Sequence, residues 1–467
     1  MAGRPEGVGA TGRGLLRQIK VDALRAATLV AFGDISPSRG RSAASAFSVT
    51  TRSNSCSFST VDNPPSAAML QCNMAIEEFG MTEARSSRIE CLDGLRALAA
   101  IWVLIGHCLL LTGWHIPVLG EPDLGVDLFI MLSGFLMVFH YQLRQDKEPW
   151  QRPETWLKFW TRRYFRIAPL FYVMLFVALA LGPYLYQFRM VIDEFLLRSP
   201  QAPERYLDSG LKNIGAHLLF LFGLVPNFAY RTPLPDWSLG LEMQFYALFP
   251  AIMLLVRRLD WIWAAVLVAA TGSAIVFLMG QLSIRFPMPS FLPLKMQIFL
   301  CGMLLAGVVH QRQKRPFVYL ALAMLLAALP FGGRYGLGKL LMREALVLGF
   351  FALVLYRMLP GMAGIVARKT AMTLANGFFH LMGELSFSIY LIHLLVLQPV
   401  AAFVITQYGH ALSAPLRFAI VVAVVLPVVC LLSWITYTLI EVPGQKMGRF
   451  VVQRFGRSPA LDTTPAE

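Results

Sequence analysis

The chain contains ten apolar runs that are each close to the length a helix needs to cross a lipid bilayer, about 20 residues. They cover roughly residues 93–113, 124–143, 167–187, 237–256, 259–280, 291–310, 317–332, 337–356, 384–405 and 416–440. Only 15% of all residues are charged, whereas a soluble domain usually carries about 25%. The sequence therefore predicts an all-α polytopic membrane protein with about ten transmembrane helices.

The residues before the first run have a different composition. Residues 1–88 are rich in Ala, Ser, Gly and Arg and contain one apolar patch, 26–32, which is too short to span a bilayer. We interpret them as a disordered cytoplasmic tail, or as an over-extended gene start upstream of Met81. The predicted membrane domain covers residues 89–445, and residues 446–467 are predicted to be a short cytoplasmic tail.

An eleventh apolar run, 213–229, is short and interrupted by Gly and Pro. Cytoplasmic loops of membrane proteins are enriched in Lys and Arg. With ten spans and cytoplasmic termini, the inner loops carry more than twice as many Lys and Arg residues as the outer loops. An eleventh span would move every later loop to the opposite side of the membrane. The run is therefore predicted to be a re-entrant or interfacial segment of a long outer connection.

The charge and the cysteines exclude several classes of function. The net charge of +14 lies mostly in short loops between apolar runs, which indicates membrane orientation and not nucleic-acid binding. The six cysteines are scattered, without a CxxC pair or a Cys/His cluster, so neither a disulfide framework nor a metal site is predicted. Cys108 directly follows His107 and could be a nucleophile. We interpret it as a small buried residue, because adjacent positions of a helix do not face each other.

The first span carries two polar residues, Arg96 and His107. Eleven residues turn a helix through about 1100°, nearly three whole turns, so both side chains lie on one face about 16 Å apart. Ionisable residues inside a membrane are costly and often functional. The alternative is an interfacial anchor and a structurally buried histidine.

Glu242 lies near the start of the fourth predicted span, at a depth similar to that of His107. The two could pair as a general base and its orienting carboxylate, or form a purely structural pair. Asp127 is predicted to lie near the outer surface. Arg343 and Glu344 fall inside the eighth span, and their partners are expected on neighbouring helices.

At the predicted cytoplasmic side, the loop before the third span contains Arg162, Arg163 and Arg166. Such a cluster suits a polyphosphate ligand, although similar clusters often serve only membrane orientation. In the ninth span, Tyr390 and His393 share a helix face with Ser386. These polar groups suggest a ligand that enters from the cytoplasm and whose reactive end reaches the outer half of the membrane.

Together these motifs resemble the acyltransferase-3 family of integral-membrane O-acyltransferases. The resemblance covers roughly residues 89–445, in family order. The matching residues are Arg96 and His107; Gly125, Asp127, Ser133, Gly134 and Phe135; Arg162, Arg166, Ile167 and Pro169; Trp237, Ser238, Leu239, Glu242, Phe245, Tyr246 and Pro250; Ser386, Ser388, Tyr390, Leu391 and His393; and Glu441 and Pro443. Each motif is weak alone, but the ordered set is specific.

The resemblance implies a function. Family members transfer acetyl or other short acyl groups from cytoplasmic acyl-CoA to hydroxyls of cell-surface or secreted carbohydrates, in the bacterial inner membrane. No permanently bound cofactor is implied, since acyl-CoA is a substrate. The resemblance is to members without the additional extracytoplasmic esterase-like domain.

The resemblance also implies roles for individual residues. His107 would be the general base or a transient acyl carrier, with Glu242 as its partner. The residues expected to bind the donor are Arg96, Arg162, Arg163, Arg166, Tyr390 and His393. The residues expected to bind the acceptor are Asp127, Trp237, Ser238 and Tyr246.

Two other classes of function are compatible with the composition. A transporter or exporter of a small solute or glycan precursor would also have many spans and a central polar path. It would move its substrate without depending on acyl-CoA. A membrane sensor or scaffold would depend on the N-terminal tail, so that deletion of residues 1–80 would abolish its function. The absence of visible internal repeats and the ordered motifs favour the acyltransferase.

Overall fold

The computed structural model describes residues 91–311, 316–331, 336–356 and 359–455. The tail predicted at residues 1–88 lies outside the described residues, as do residues 456–467. Within the described ranges the regular secondary structure is entirely helical. The predicted all-α polytopic class is therefore confirmed.

The helices follow the apolar runs. They are α1 (Cys91–Thr112), α2 (Pro122–Arg144), α3 (Pro153–Phe195), α4 (Glu204–Leu207), α5 (Leu211–Leu218), α6 (Trp237–Gln281), α7 (Met296–Gln311), α8 (Pro316–Ala327), α9 (Leu337–Val354), α10 (Gly361–Leu374), α11 (Gly377–Tyr408), α12 (Ala414–Thr436) and α13 (Val442–Phe455). Short 3-10 turns lie at Phe222–Leu224 and Leu292–Leu294, and a π-helical turn at Tyr437–Glu441 joins α12 to α13.

Six of the described helices are long and apolar enough to cross a membrane. The difference from ten predicted spans has identifiable causes. Helix α6 contains two predicted runs, which are separated at Asp260 by a non-helical backbone conformation (φ 68°, ψ 166°). Helices α7 and α8 are apolar but shorter, and α9 contains the charged residues Lys339, Arg343 and Glu344. Each predicted run nevertheless corresponds to helix.

Helix α3 is much longer than the predicted span 167–187. It begins at Pro153, where a proline suits the first helical turn because its missing N–H needs no partner there. Consequently the basic segment that contains Arg162, Arg163 and Arg166 is helical, and the prediction of a loop there was wrong. Successive residues of a helix point about 100° apart, so the helix fixes the directions of these three side chains relative to one another.

The run 213–229 does not cross the membrane as a continuous helix. Helix α5 has 8 residues and is followed by the 3-10 turn. At 1.5 Å per residue, α5 is about 12 Å long, far short of a hydrocarbon core of about 30 Å. The side-chain amide of Asn213 donates to the carbonyl oxygens of Asp208 (2.7 Å) and Arg231 (3.0 Å), which ties the start of α5 to the chain that leads into α6.

Small residues allow the central helices to approach each other closely. A Cβ atom on Gly134 of α2 would collide with the backbone carbonyl of Phe299 in α7, and one on Gly302 of α7 with that of Met131 in α2. Close packing through small residues is typical of membrane helices. By contrast, large apolar side chains such as Phe176, Trp263 and Phe277 are more than half exposed, as expected for surfaces that contact lipid.

Candidate active site

A cavity between six helices contains most of the polar side chains predicted as site residues. Helices α1, α2, α3, α6 and α11 contribute its polar lining residues, and α7 contributes Phe299. Its polar lining residues are Arg96, Ser133, His140, Arg163, Arg166, Ser238, Glu242, Tyr246, Ser386 and Tyr390. The rest of the wall is apolar, so these groups are the ones that can orient a ligand.

The cavity holds three guanidinium groups. Arg96 has one acidic neighbour on its own helix, Asp93, at 3.6 Å. The side chain of Arg163 lies against the rings of Phe159 and Tyr246, with its Cζ atom 5.8 and 5.7 Å from their centroids. Its Nε atom is buried without a hydrogen-bond partner among the described residues. A buried donor of this kind is costly unless a ligand satisfies it, and an anionic oxygen would do so.

Arg162 is the predicted donor-binding arginine that the structure places elsewhere. It forms a two-pronged ion pair with Glu148, with distances of 2.9 and 2.6 Å between the guanidinium nitrogens and carboxylate oxygens. Burial alone would raise the pKa of Glu148, but the hydrogen bonds and charge of Arg162, with other nearby cations, lower it overall. Arg162 does not line the cavity because its guanidinium is held by this loop carboxylate.

Glu242 lines the cavity, and one of its carboxylate oxygens accepts two hydrogen bonds. The hydroxyl of Ser133 donates to Oε1 at 2.7 Å, and the hydroxyl of Tyr246 donates to the same oxygen. These two hydroxyl donors fix the position of the carboxylate in the cavity wall. No contact joins Glu242 to His107 in the described part of the chain, so the predicted pairing of these two residues was wrong.

His107 instead pairs with a second histidine. Its Nδ1 atom lies 2.9 Å from the carbonyl oxygen of Val103 and 3.2 Å from Nε2 of His393 in α11. The Nδ1 atom of His393 lies 2.6 Å from the carbonyl oxygen of Tyr390. His393 is completely buried, whereas His107 is half-buried. His393 was expected to bind the donor, and the structure places it against His107.

Tyr390 connects the cavity to the histidine pair. Its side chain lines the cavity, while its carbonyl oxygen is the partner of His393. The hydroxyl donates to the carbonyl oxygen of Pro235 at 2.6 Å, so it accepts from Ser238 at 2.8 Å. Ser238, predicted to contact the acceptor, therefore lines the same cavity as the arginines, next to Tyr390.

Asp127 is buried between helices. Its carboxylate is only 1% exposed and contacts two cations, Lys295 at 2.6 Å and Arg343 at 3.1 Å. Asp127 was expected to contact the acceptor, but Lys295, directly before α7, and Arg343 of α9 cover its carboxylate, and it does not line the cavity. The expectation that Arg343 finds its partner on a neighbouring helix is confirmed. Trp237, the first residue of α6, is also buried.

Sequence reasoning missed two residues with a place in these clusters. His140, near the end of α2, lines the cavity, and Lys295 is the buried partner of Asp127. Both were visible in the sequence as ionisable residues inside or beside apolar runs, which is an uncommon position. Among the described residues, no three His, Cys, Asp or Glu side chains are grouped as metal ligands.

Apolar helices around an internal cavity, with guanidinium groups and a neighbouring imidazole pair, define a multi-pass membrane protein with a polar site for a ligand. The chain matches the family described as "Acyltransferase domain" over residues 89–434 and belongs to this acyltransferase-3 family. It is an acyltransferase, and the resemblance inferred from its motifs is confirmed.

Three relatives agree with this assignment. The acyltransferase MdmB of Streptomyces mycarofaciens is 25% identical over 70% of this chain and 81% of its own length. The peptidoglycan O-acetyltransferase OatA of Listeria monocytogenes is 31% identical over 37% of this chain and 25% of its own length. The putative membrane-bound transacylase BcsY of Komagataeibacter xylinus is 31% identical over 35% of this chain and 37% of its own length. No solved structure matches the chain.

Proposed function

We propose that the protein moves an acetyl or other short acyl group from acyl-CoA to a hydroxyl of a cell-surface or secreted carbohydrate. The observation that carries this proposal is that Tyr390 both lines the arginine-bearing cavity and accepts, through its carbonyl oxygen, a hydrogen bond from His393 of the histidine pair. The cavity offers cations for an anionic donor, and the histidine pair offers a base next to Tyr390 of its lining. The name of one relative, a peptidoglycan O-acetyltransferase, supports a carbohydrate hydroxyl as acceptor.

The donor side of the proposed site consists of Arg96, Arg163 and Arg166, with His140 beside them. Guanidinium groups match phosphate oxygens in geometry and charge, so they suit the phosphates of coenzyme A. Glu242 belongs to this side as well. Its second oxygen faces no described donor and can accept an amide N–H from the pantetheine arm of the donor.

The transfer step uses His107 as general base. The imidazole takes the proton of the acceptor hydroxyl as the oxygen attacks the thioester carbonyl carbon. The tetrahedral intermediate then collapses, the carbon–sulfur bond breaks, and the imidazolium returns its proton to the leaving thiolate. The products are an ester on the carbohydrate and free coenzyme A, and the histidine is regenerated.

The proposed location is the bacterial inner membrane, with both termini in the cytoplasm. The distribution of Lys and Arg between the loops supports this orientation. It would place the arginine-bearing part of α3 towards cytoplasmic acyl-CoA and His107 towards an acceptor on the outer side. The bilayer, acyl-CoA and the carbohydrate are then the expected partners.

The test compares ester-linked acyl groups on surface glycans in cells with the wild-type protein, with a deletion, and with His107→Ala. His115→Ala, an exposed histidine beyond the end of α1, is the matched control. We expect the acyl groups to disappear with the deletion and with His107→Ala at normal membrane levels of protein. Retention of the acyl groups in His107→Ala would refute the assignment of the base. No change with the deletion would refute the proposed function and favour a transporter.

A further inference from the structure

The histidine pair has a defined direction of hydrogen bonding. We propose that His393 is a positioning residue, which holds His107 as the tautomer with a protonated Nδ1 and a free Nε2 and stabilises the charge that His107 acquires. The part of this inference that concerns catalysis rests on the proposed function, but the pairing itself does not. It replaces the expectation that His393 binds acyl-CoA.

Two backbone carbonyls determine the direction. A carbonyl oxygen only accepts, so Nδ1 of His393 must carry a proton to bond the carbonyl of Tyr390 at 2.6 Å. In the same way, Nδ1 of His107 must carry a proton to bond the carbonyl of Val103 at 2.9 Å. That single N–H is shared between the carbonyl of Val103 and Nε2 of His393, 3.2 Å from Nδ1, so the contact between the rings has one consistent arrangement. His107 donates and His393, which is neutral, accepts.

This arrangement leaves Nε2 of His107 with its lone pair. That atom has no hydrogen-bond partner among the described residues, and the half-buried side chain leaves His107 accessible. His393 cannot substitute for it, because His393 is completely buried and both of its ring nitrogens are engaged. Nε2 of His107 is therefore the atom that would receive the hydroxyl proton.

Proton transfer strengthens the contact between the two rings. When His107 becomes an imidazolium, its Nδ1–H becomes a charged donor to the neutral Nε2 of His393, and charge-assisted hydrogen bonds are roughly twice as strong as neutral ones. An interaction that strengthens as the reaction proceeds lowers the barrier and raises kcat. Loss of His393 is thus expected to lower kcat and to leave substrate binding nearly unchanged.

The two helices do not depend on this contact for their packing. Ala97, Ala100 and Leu104 of α1 belong to the same buried apolar cluster as Leu385 and Ile389 of α11. A Cβ atom on Gly383 of α11 would collide with the backbone of Asp93 at the start of α1, which shows how closely the helices approach there. Replacement of His393 by a residue of similar size should therefore leave α1 and α11 in place.

The kinetic test uses the full-length protein in lipid nanodiscs, with acetyl-CoA as donor and the isolated surface glycan of the source cell as acceptor. We expect His393→Leu to lower kcat about a hundredfold, within the range of general-base effects, with the KM for acetyl-CoA changed less than about threefold. His393→Gln should stay within about tenfold of wild type, because its amide oxygen can accept from His107. His410→Gln, at an exposed histidine beyond the end of α11, is the control.

Three kinetic outcomes would overturn the inference. Wild-type kcat in His393→Leu would show that the contact does not contribute. An equal loss in the Leu and Gln variants would show a steric role only. A loss confined to the KM for acetyl-CoA would return His393 to the donor site.

A second measurement does not depend on acyl transfer. The ¹⁵N spectrum of histidine-labelled protein, with His107 assigned from its loss in His107→Ala, should show His107 protonated at Nδ1 in the wild type. His393→Leu should shift that Nδ1 resonance, and His393→Gln should shift it less. A wild-type His107 protonated at Nε2, or a resonance insensitive to His393→Leu, would refute the pairing. If the pairing holds but wild-type protein transfers no acyl group, only the proposed function fails.

Discussion

Two buried groups of charges in this protein differ in what neutralises them. Around Asp127, both cationic neighbours, Lys295 and Arg343, contact the same carboxylate, and the cluster is closed to the cavity. In the cavity, Arg163 has a buried nitrogen that no described residue satisfies, and Glu242 is bonded by hydroxyls and not by a cation. Charges that the protein neutralises itself support the fold, whereas charges left facing a cavity are available to a ligand.

The largest expected effect is on protein stability, when the ion cluster of Asp127, Lys295 and Arg343 is disrupted. Asp127→Ala leaves two buried cations without their shared carboxylate, which should destabilise the protein by about 3–5 kcal/mol. We expect little folded protein in membranes and a strongly lowered apparent Tm. Asp123→Ala is the control, since that residue lies in the first turn of the same helix and is partly exposed. A normal Tm with lost transfer activity would instead restore the acceptor-binding role predicted from sequence.

The second prediction compares the effects of two adjacent arginines, Arg162 and Arg163, on the binding of acyl-CoA. Arg163→Met removes a cation from the cavity wall and should raise the KM for acyl-CoA about tenfold to hundredfold, as for a charged hydrogen bond of about 1.5–3 kcal/mol. Arg162→Met should leave KM nearly unchanged, because its guanidinium is paired with Glu148 outside the cavity. Steady-state kinetics on both variants measures the difference. Equal effects would mean that the cavity does not distinguish the two arginines.

A smaller effect is expected from the hydroxyls that bond Glu242. Tyr246→Phe and Ser133→Ala each remove one donor to the same oxygen, and each should lower kcat/KM about fivefold to tenfold, or about 1–1.5 kcal/mol. Because the two donors share one acceptor, the double variant should depart from additivity. Tyr141→Phe, which changes a tyrosine outside the cavity lining, serves as the control. Unchanged kinetics in both single variants would remove Glu242 from the donor site.

The smallest effect concerns the ion pair that holds Arg162. The pKa of Glu148 is lowered in the folded protein, because the contribution of Arg162 and other cations outweighs burial. A depressed carboxyl pKa stabilises the fold above the unfolded value, about 4.3, and this contribution disappears as pH falls through the folded pKa. The partly exposed pair should contribute less than about 1 kcal/mol.

The matching measurement compares the apparent Tm of wild type and Glu148→Gln at several pH values. The wild type should unfold at a slightly higher temperature at pH 7, and the difference should shrink as pH falls through the lowered pKa of Glu148. A difference that grows as pH falls would contradict the assigned direction of the pKa shift.

Much of the architecture could be predicted from local features of the sequence. The positions of the apolar runs, the non-spanning character of residues 213–229 and several cavity residues, among them Arg96, Ser238 and Tyr390, follow from run length, interruptions and unusual polar positions. These properties depend on neighbouring residues in one helix. They are therefore visible without knowledge of how the helices pack.

The partners of the polar residues were decided only by the tertiary structure. His107 pairs with His393, 286 positions away, and not with Glu242 at a similar predicted depth. The partners of Asp127 are Lys295, directly before α7, and Arg343 of α9. Depth along a span is a local property, but contact also requires that two helices be adjacent and correctly rotated. One residue of displacement turns a side chain by about 100°, so equal depth alone leaves the partner undetermined.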